Sequence, residues 1–155
     1  MRCVIGVDPG VNGGIAVKMD GRLVETISVK SMSEAQMLSY VDGLTRGADV
    51  TKVLAVLEQP PTFIPGRPQL ASRIGKMMET VGWWRGILMA LATPLVLVRP
   101  QTWQKGIVKT AADNKAAWIA EAQRRHPAFL ASFNKGQLAA VCDAVLIADF
   151  GETLL

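Results

Sequence analysis

Cys3-Val4-Ile5-Gly6-Val7-Asp8-Pro9-Gly10-Val11-Asn12-Gly13-Gly14-Ile15-Ala16-Val17-Lys18-Met19 is the stretch on which the reading of this chain turns. Cys3 to Val7 is a short apolar run rich in β-branched residues, and it stops at Asp8-Pro9-Gly10. Asn12-Gly13-Gly14 signals a turn before a second run, Ile15 to Met19. Two strands joined by a tight glycine turn follow from this. Asp20-Gly21 is another hairpin signal, and Leu23 to Val29 alternates as a third strand should. The opening is therefore predicted to be a three-stranded antiparallel meander.

Working outward, Ser33 starts a helical pattern with Met37, Leu38, Val41 and Leu44 at three- and four-residue spacing, ending near Gly47. Lys52 to Leu57 reads as a continuous apolar strand, the pattern of a sheet covered on both faces, and it ends at Glu58. After Pro60-Pro61, the segment from about Gln69 to Leu91 reads as a long helix. Its Gly75, Gly82 and Gly86 lower helix propensity, which close packing against a neighbour would explain. Leu95 to Val98 is a fifth strand and Asn114 to Arg125 a helix. Lys135 to Phe150 is a last helix with Leu138, Val141, Val145 and Ala148 along one stripe. The order βββαβαβαα, without internal repeat or low-complexity tract, predicts an α/β fold. Its core would be a five-stranded mixed sheet, three antiparallel strands then two parallel, flanked by helices on both faces.

At 155 residues and 50% hydrophobic content the chain can bury one good core and is too short for two full domains. A single domain, 1–155, is expected. Met1-Arg2 leads straight into the first strand without the basic region, apolar block and cleavage site of a secretory signal. The longest apolar stretch, Val81 to Val98, is broken by Gly82, Arg85, Gly86 and Pro94, short of the about 20 uninterrupted apolar residues a membrane span needs. Cys3 and Cys142 lie inside apolar runs and belong to no disulfide framework or metal-ligand pair. A reducing cytoplasm is the expected location.

The net charge of +4 and pI near 9.3 are unevenly spread. Arg99, Lys105, Lys109, Lys115, Arg124, Arg125 and Lys135 face only Asp113 and Glu121, and Arg67, Arg73, Lys76 and Arg85 face only Glu79. Such clusters often do no more than solubilise a surface, but beside catalytic acids they favour a polyanionic partner. Candidate acids exist. Asp8 ends an apolar strand just before glycines that let a phosphate backbone approach closely, although a lone aspartate there is more often a turn-former. Glu58 ends the strand Val53-Leu54-Ala55-Val56-Leu57, where a half-buried carboxylate needs a partner or a metal. Asp143 stands in a helix whose neighbours are all apolar or small, unlike an ordinary surface acid. Together the three suggest one cation site. Hard oxygen ligands without histidine or cysteine select Mg²⁺ or Mn²⁺ over zinc. Two such ions about 4 Å apart can activate a water and stabilise the leaving oxygen in phosphodiester hydrolysis.

With these residues in view, the chain resembles the RuvC-like Holliday junction resolvases of the ribonuclease H-like superfamily, over nearly its whole length. The likeness rests on four strings: Gly6-Val7-Asp8-Pro9-Gly10 with Gly13-Gly14, Leu57-Glu58-Gln59-Pro60, Arg99-Pro100-Gln101-Thr102-Trp103-Gln104-Lys105, and Cys142-Asp143-Ala144-Val145-Leu146-Ile147-Ala148. The resemblance implies a homodimer that binds a four-way DNA junction and cuts two strands symmetrically. By it, Asp8, Glu58 and Asp143 would hold two Mg²⁺ or Mn²⁺ ions, with Lys105 joining them in catalysis. Lys105, Lys109 and Lys115 would meet phosphates near the scissile bond, and Phe63 would be the aromatic inserted at the crossover. Arg67, Arg73, Lys76 and Arg99 complete the expected DNA surface. The chain departs from the family in one place. A fourth acid usually stands one helical turn before the position of Asp143, and here those positions are Ala139 and Ala140. Asp149 points about 240° round the helix and is no substitute. The vacancy leaves open weak binding of a second metal, another ligand, or an inactivating substitution. His126, before Pro127, is expected to cap or end a helix. The apolar residues Met77, Met78, Val81, Trp84, Leu88 and Met89 serve core packing or a dimer interface. Compactness and the lysine-rich tail section would suit a phage-encoded enzyme acting in its host's cytoplasm.

Three other readings compete. A non-catalytic branched-DNA-binding relative would account for Ala139 and Ala140. A sugar kinase or actin-like ATPase shares the Asp8-Pro9-Gly10 and Gly13-Gly14 pattern but needs two such domains. A nonspecific or RNA-directed nuclease remains open because fold does not set substrate.

Overall fold

Alternation along the strands builds the architecture of the computed structural model, which describes residues 1–61, 71–107 and 115–155. In β1 (Cys3–Asp8) and β4 (Val53–Glu58) the apolar side chains divide between two cores, one on each face of the sheet. Val4, Leu54 and Val56 face one core; Cys3, Ile5, Val7, Val53, Ala55 and Leu57 face the other. Burial on both faces explains why β4 reads as an unbroken apolar run. β2 (Gly14–Met19) and β3 (Arg22–Ser28) complete the antiparallel meander, and β5 (Leu95–Val98) lies parallel to β4. The strand order is β3-β2-β1-β4-β5, with β1 parallel to β4. The turn between β2 and β3 has Asp20 at φ 46° and Gly21 at φ 79°, the doubly left-handed geometry that an Asp-Gly pair accepts.

α1 (Glu34–Thr45) starts at Ser33, whose hydroxyl accepts from Gln36 N–H while the Gln36 side chain accepts from Ser33 N–H. With α2 (Ala71–Ala90) it covers one face of the sheet, burying Met37, Val41, Val81, Trp84 and Leu88. The other face carries α3 (Pro100–Ile107), α4 (Lys115–Arg125), α5 (Pro127–Leu130) and α6 (Lys135–Glu152). α6 is capped by Asn134 and Gln137 in the same reciprocal way as α1. It crosses the sheet at backbone contact: a Cβ on Gly6 would stand 2.3 Å from the Ala144 carbonyl and 2.5 Å from Ala148 N. Only glycine fits there.

Helices α3 and α5 and a 3-10 turn at Val50–Lys52 are additions to the element order read from the sequence, and all are too short to carry a clear period. The glycines of α2 find no close neighbour among the described residues of this chain. Among the described residues, a Cβ on Gly75, Gly82 or Gly86 would meet nothing within 4 Å, so close packing against those residues does not account for them. His126 ends α4, its N–H bonding to the Ala122 carbonyl, and stands at the N-cap of α5. Its ring does not cap; it turns to Asp149 instead. Among the described residues no helix is long and apolar enough to cross a membrane.

Candidate active site

Asp8 and Glu58 are the last residues of neighbouring parallel strands, with Val7 in register with Leu57. Period-two alternation sends both side chains to the α6 face, as it does Val4, Val56 and Gly6. The glycine contact that brings α6 onto β1 and β2 places Asp143 over the same strand ends. Three carboxylates distant in sequence therefore lie at one end of the sheet, near enough for charge to act between them.

Their electrostatics record that proximity. Burial raises the Asp8 carboxyl to about 6, the Asp143 charge adds to it, and a hydrogen bond from Gly10 N–H and the charge of Lys115 act the other way. Asp8 Oδ1 accepts that Gly10 bond at 2.9 Å. Asp8 is thus both the turn-former that a lone aspartate usually is and a member of the cluster. Burial raises Glu58 further, to about 7, assisted by the charges of Asp8 and Asp143 and opposed by a hydrogen bond from Trp103 and by Lys115. The Trp103 indole Nε1–H donates to Glu58 Oε2 at 2.8 Å. Asp143 is held from a different direction: Lys115 Nζ bonds its Oδ2 at 2.7 Å. Desolvation pulls the Lys115 ammonium down, but the charge and hydrogen bond of Asp143 outweigh it and leave it above the ordinary lysine value. With the side chains as they stand, no three His, Cys, Asp or Glu among the described residues form a set close enough to hold one metal ion.

Among the described residues of the sequence-read DNA surface, Lys115 alone acts on the acids Asp8 and Glu58 as a nearby positive charge. Lys105, in the last turn of α3, and Arg99, just before that helix, are exposed, as is Lys76 on α2. Phe63, Arg67 and Lys109 lie outside the described residues, and so does the side chain of Arg73. Ala139 and Ala140 are half-buried on the helix face of Asp143 and bring no carboxylate to it.

Asp149 lies elsewhere, as its position round the helix requires. It is buried, bonded to Lys18 Nζ at 2.7 Å and to His126 Nε2 at 3.0 Å, with Arg125 3.7 Å away. Sequence reading missed this network, though Lys18 inside an apolar strand was a signal that a buried charge awaited a partner. It also missed Trp103 as a partner of Glu58. The sequence shows Trp103 among Gln101, Thr102, Gln104 and Lys105, but the direction of its indole N–H is not visible there.

No protein-family model and no curated protein sequence matches the chain. Solved structures do. The Thermus thermophilus RuvC structure aligns at TM-score 0.60 and 15% identity, over 99% of this chain and 96% of that one. T. thermophilus RuvC in complex with Holliday junction substrate aligns at TM-score 0.63 and 14% identity, over 99% and 96%. This chain has a ribonuclease H-like fold. At this level of identity the likeness establishes the fold, and the chemistry has to be argued from the side chains.

Proposed function

We propose that this chain is a divalent-metal-dependent endonuclease that resolves four-way DNA junctions as a homodimer. The observation that carries the reading is the placement of Asp8, Glu58 and Asp143 at one end of the sheet, where the Asp143 charge raises both other carboxyls and the Asp8 charge raises Glu58. The T. thermophilus RuvC that shares the fold has been solved with a Holliday junction substrate.

The donor set suits Mg²⁺ or Mn²⁺. Its ligating atoms are carboxylate oxygens, and the neighbouring Cys142 is no competitor, because burial and the Asp143 charge push its thiol up to about 12. Buried carboxyls that repel one another are what a cation would relieve. Asp8 Oδ1 is engaged by Gly10, so Oδ2 is the oxygen left to ligate. Asp143 joins once Lys115 turns from it toward a substrate phosphate. Divalent ions held by these three residues would supply an activated water and charge neutralisation at phosphorus. In the reaction the water oxygen would bond to phosphorus as one ester P–O bond breaks; the proton lost by the water would go to solvent, and the leaving oxygen would take one up from solvent and depart as the sugar hydroxyl. Lys105, Lys109, Lys115 and Arg99 would track phosphates, with Arg67, Arg73 and Lys76 extending the surface. Phe63, in the segment that follows Glu58, would stack at the crossover. The face of α2 where Gly75, Gly82 and Gly86 meet nothing among the described residues and Met89 is 68% exposed is the surface assigned to the second copy.

The test compares cleavage of four-way, forked and linear duplexes of one sequence, with Mg²⁺ and with chelator. Cleavage of the four-way junction alone, dependent on metal and lost in Asp8→Asn, is expected. Equal rates on linear duplex, or an active Asp8→Asn, would refute it, and light scattering that finds only monomer at micromolar concentration would remove the dimer. One alternative is favoured by specific residues: Ala139 and Ala140 leave the helix face of Asp143 without a second acid, which suits a branched-DNA-binding protein with weak or no cleavage. Tight junction binding without cleavage in either metal would select it.

A further inference from the structure

The indole of Trp103 stands behind Glu58, fully buried in the core on the α6 face, and directs its only polar atom at Glu58 Oε2. It rests at a tilt against Trp118, ring centroids 5.9 Å apart and planes at 56°. Trp118 follows Lys115 by one turn of α4, and the Lys115 ammonium bonds Asp143. One aromatic pair therefore links, through direct contacts, the donor that holds Glu58 to the helix that presents a cation to Asp143. The two tryptophans come from helices separated by residues 108–114, so the pairing is a tertiary event.

An indole N–H donates and cannot accept, carries no charge and exchanges no proton with the reacting atoms. What it can do is orient. A glutamate at a strand end has a carboxylate free to rotate, whereas one tethered by an immobile buried donor keeps one oxygen occupied and the other available. We propose that Trp103 is the positioning residue of this site, holding the Glu58 carboxylate in one orientation with Oε1 left for a cation and, through Trp118, keeping Lys115 and Glu58 in a constant relation. The inference rests on the reading of Asp8, Glu58 and Asp143 as a cation site. It adds a donor that fixes ligand geometry from behind, as the hydrogen-bond partners of metal ligands generally do.

The test measures Mn²⁺ binding to the full chain by the loss of the free-ion electron paramagnetic resonance signal. Wild type is expected to bind Mn²⁺, and folded Trp103→Phe, which keeps an aromatic ring and loses the N–H, to bind it about tenfold more weakly. A merely structural indole would lower thermal stability and leave that dissociation constant unchanged, which would overturn the proposal. A second measurement needs no variant of Trp103. In ¹⁵N-tryptophan-labelled protein the Trp103 indole resonance, assigned by its contacts to Trp118, is expected to move on titration with Mg²⁺ and in Glu58→Gln. An indole signal indifferent to both, in protein that binds Mn²⁺, would overturn the proposal even if Trp103→Phe does not fold. Failure of wild type to bind Mn²⁺ at all is a different result, and it would remove the cation site itself.

Discussion

Glu58→Gln should make the metal-free protein more stable at pH 8, although it removes a charged residue from a carefully hydrogen-bonded position. The carboxyl of Glu58 moves from 4.5 to about 7 through burial and the charges of Asp8 and Asp143. Asp8 moves from 3.8 to about 6 through burial and Asp143. The folded chain therefore binds more protons than the unfolded chain between about pH 4 and 7. Stability contributed by these groups is present at the acid end of that window and is lost as pH rises through it. At about 1.4 kcal/mol per pH unit, the Glu58 change alone corresponds to about 3 kcal/mol. Asp8 shares the repulsion, so roughly half of it, 1–2 kcal/mol, is what the single substitution relieves. For a chain of this size that is a rise in Tm of about 3–6 °C. Differential scanning calorimetry with chelator present, from pH 4.5 to 8, should find wild type and Glu58→Gln alike at the acid end and diverging as pH rises. Added Mg²⁺ should narrow the gap by stabilising wild type selectively. A variant that is no more stable than wild type at pH 8, or a gap that does not change with pH, would refute the account of three mutually repelling carboxylates.

Three further outcomes are expected. Placing an acid on the Asp143 face, as Ala140→Asp or Ala139→Asp, should raise Mg²⁺-dependent junction cleavage roughly tenfold if the missing fourth ligand limits the rate; unchanged initial rates in both variants would dismiss that explanation. Replacing Lys105, Lys109 and Lys115 together by alanine should reduce the slope of log affinity against log salt for a four-way junction by roughly 2–3, and an unaltered slope would show that these lysines do not meet phosphates. Against desolvation, hydrogen bonds from His126 and Lys18 hold the Asp149 carboxyl below the usual carboxylate range. Asp149→Ala would leave the buried Lys18 ammonium uncompensated and should cost about 3–5 kcal/mol in urea unfolding, with Lys18→Met in the same background recovering part of the loss.

Much of the fold was legible because its signals are local. The turn residues at Asn12-Gly13-Gly14 and Asp20-Gly21, the alternation of β3, the unbroken run of β4 and the Ser33 cap each act within a few residues of where they stand. Helices α3 and α5 were missed because 8 and 4 residues are too few to establish a period. The α2 glycines were read as packing positions, but sequence does not tell which neighbour a helix face packs against, and among the described residues of this chain they meet none.

For the site, the sequence by itself determined the list of acids: a carboxylate closing each of two apolar strands, and a third whose neighbours from Ala139 to Ile147 are all apolar or small, are anomalies of composition that need no coordinates to notice. Only the tertiary structure decided how those acids relate. Strand register brings Asp8 beside Glu58, and the Gly6 contact brings α6 down onto them. Long-range contact alone supplies Trp103 to Glu58 and Lys115 to Asp143, and it draws Asp149 away to Lys18 and His126. The reason is physical: a residue's type and spacing set what it can bond to, whereas the charge it feels depends on through-space distances of a few ångströms, which only the packed chain defines.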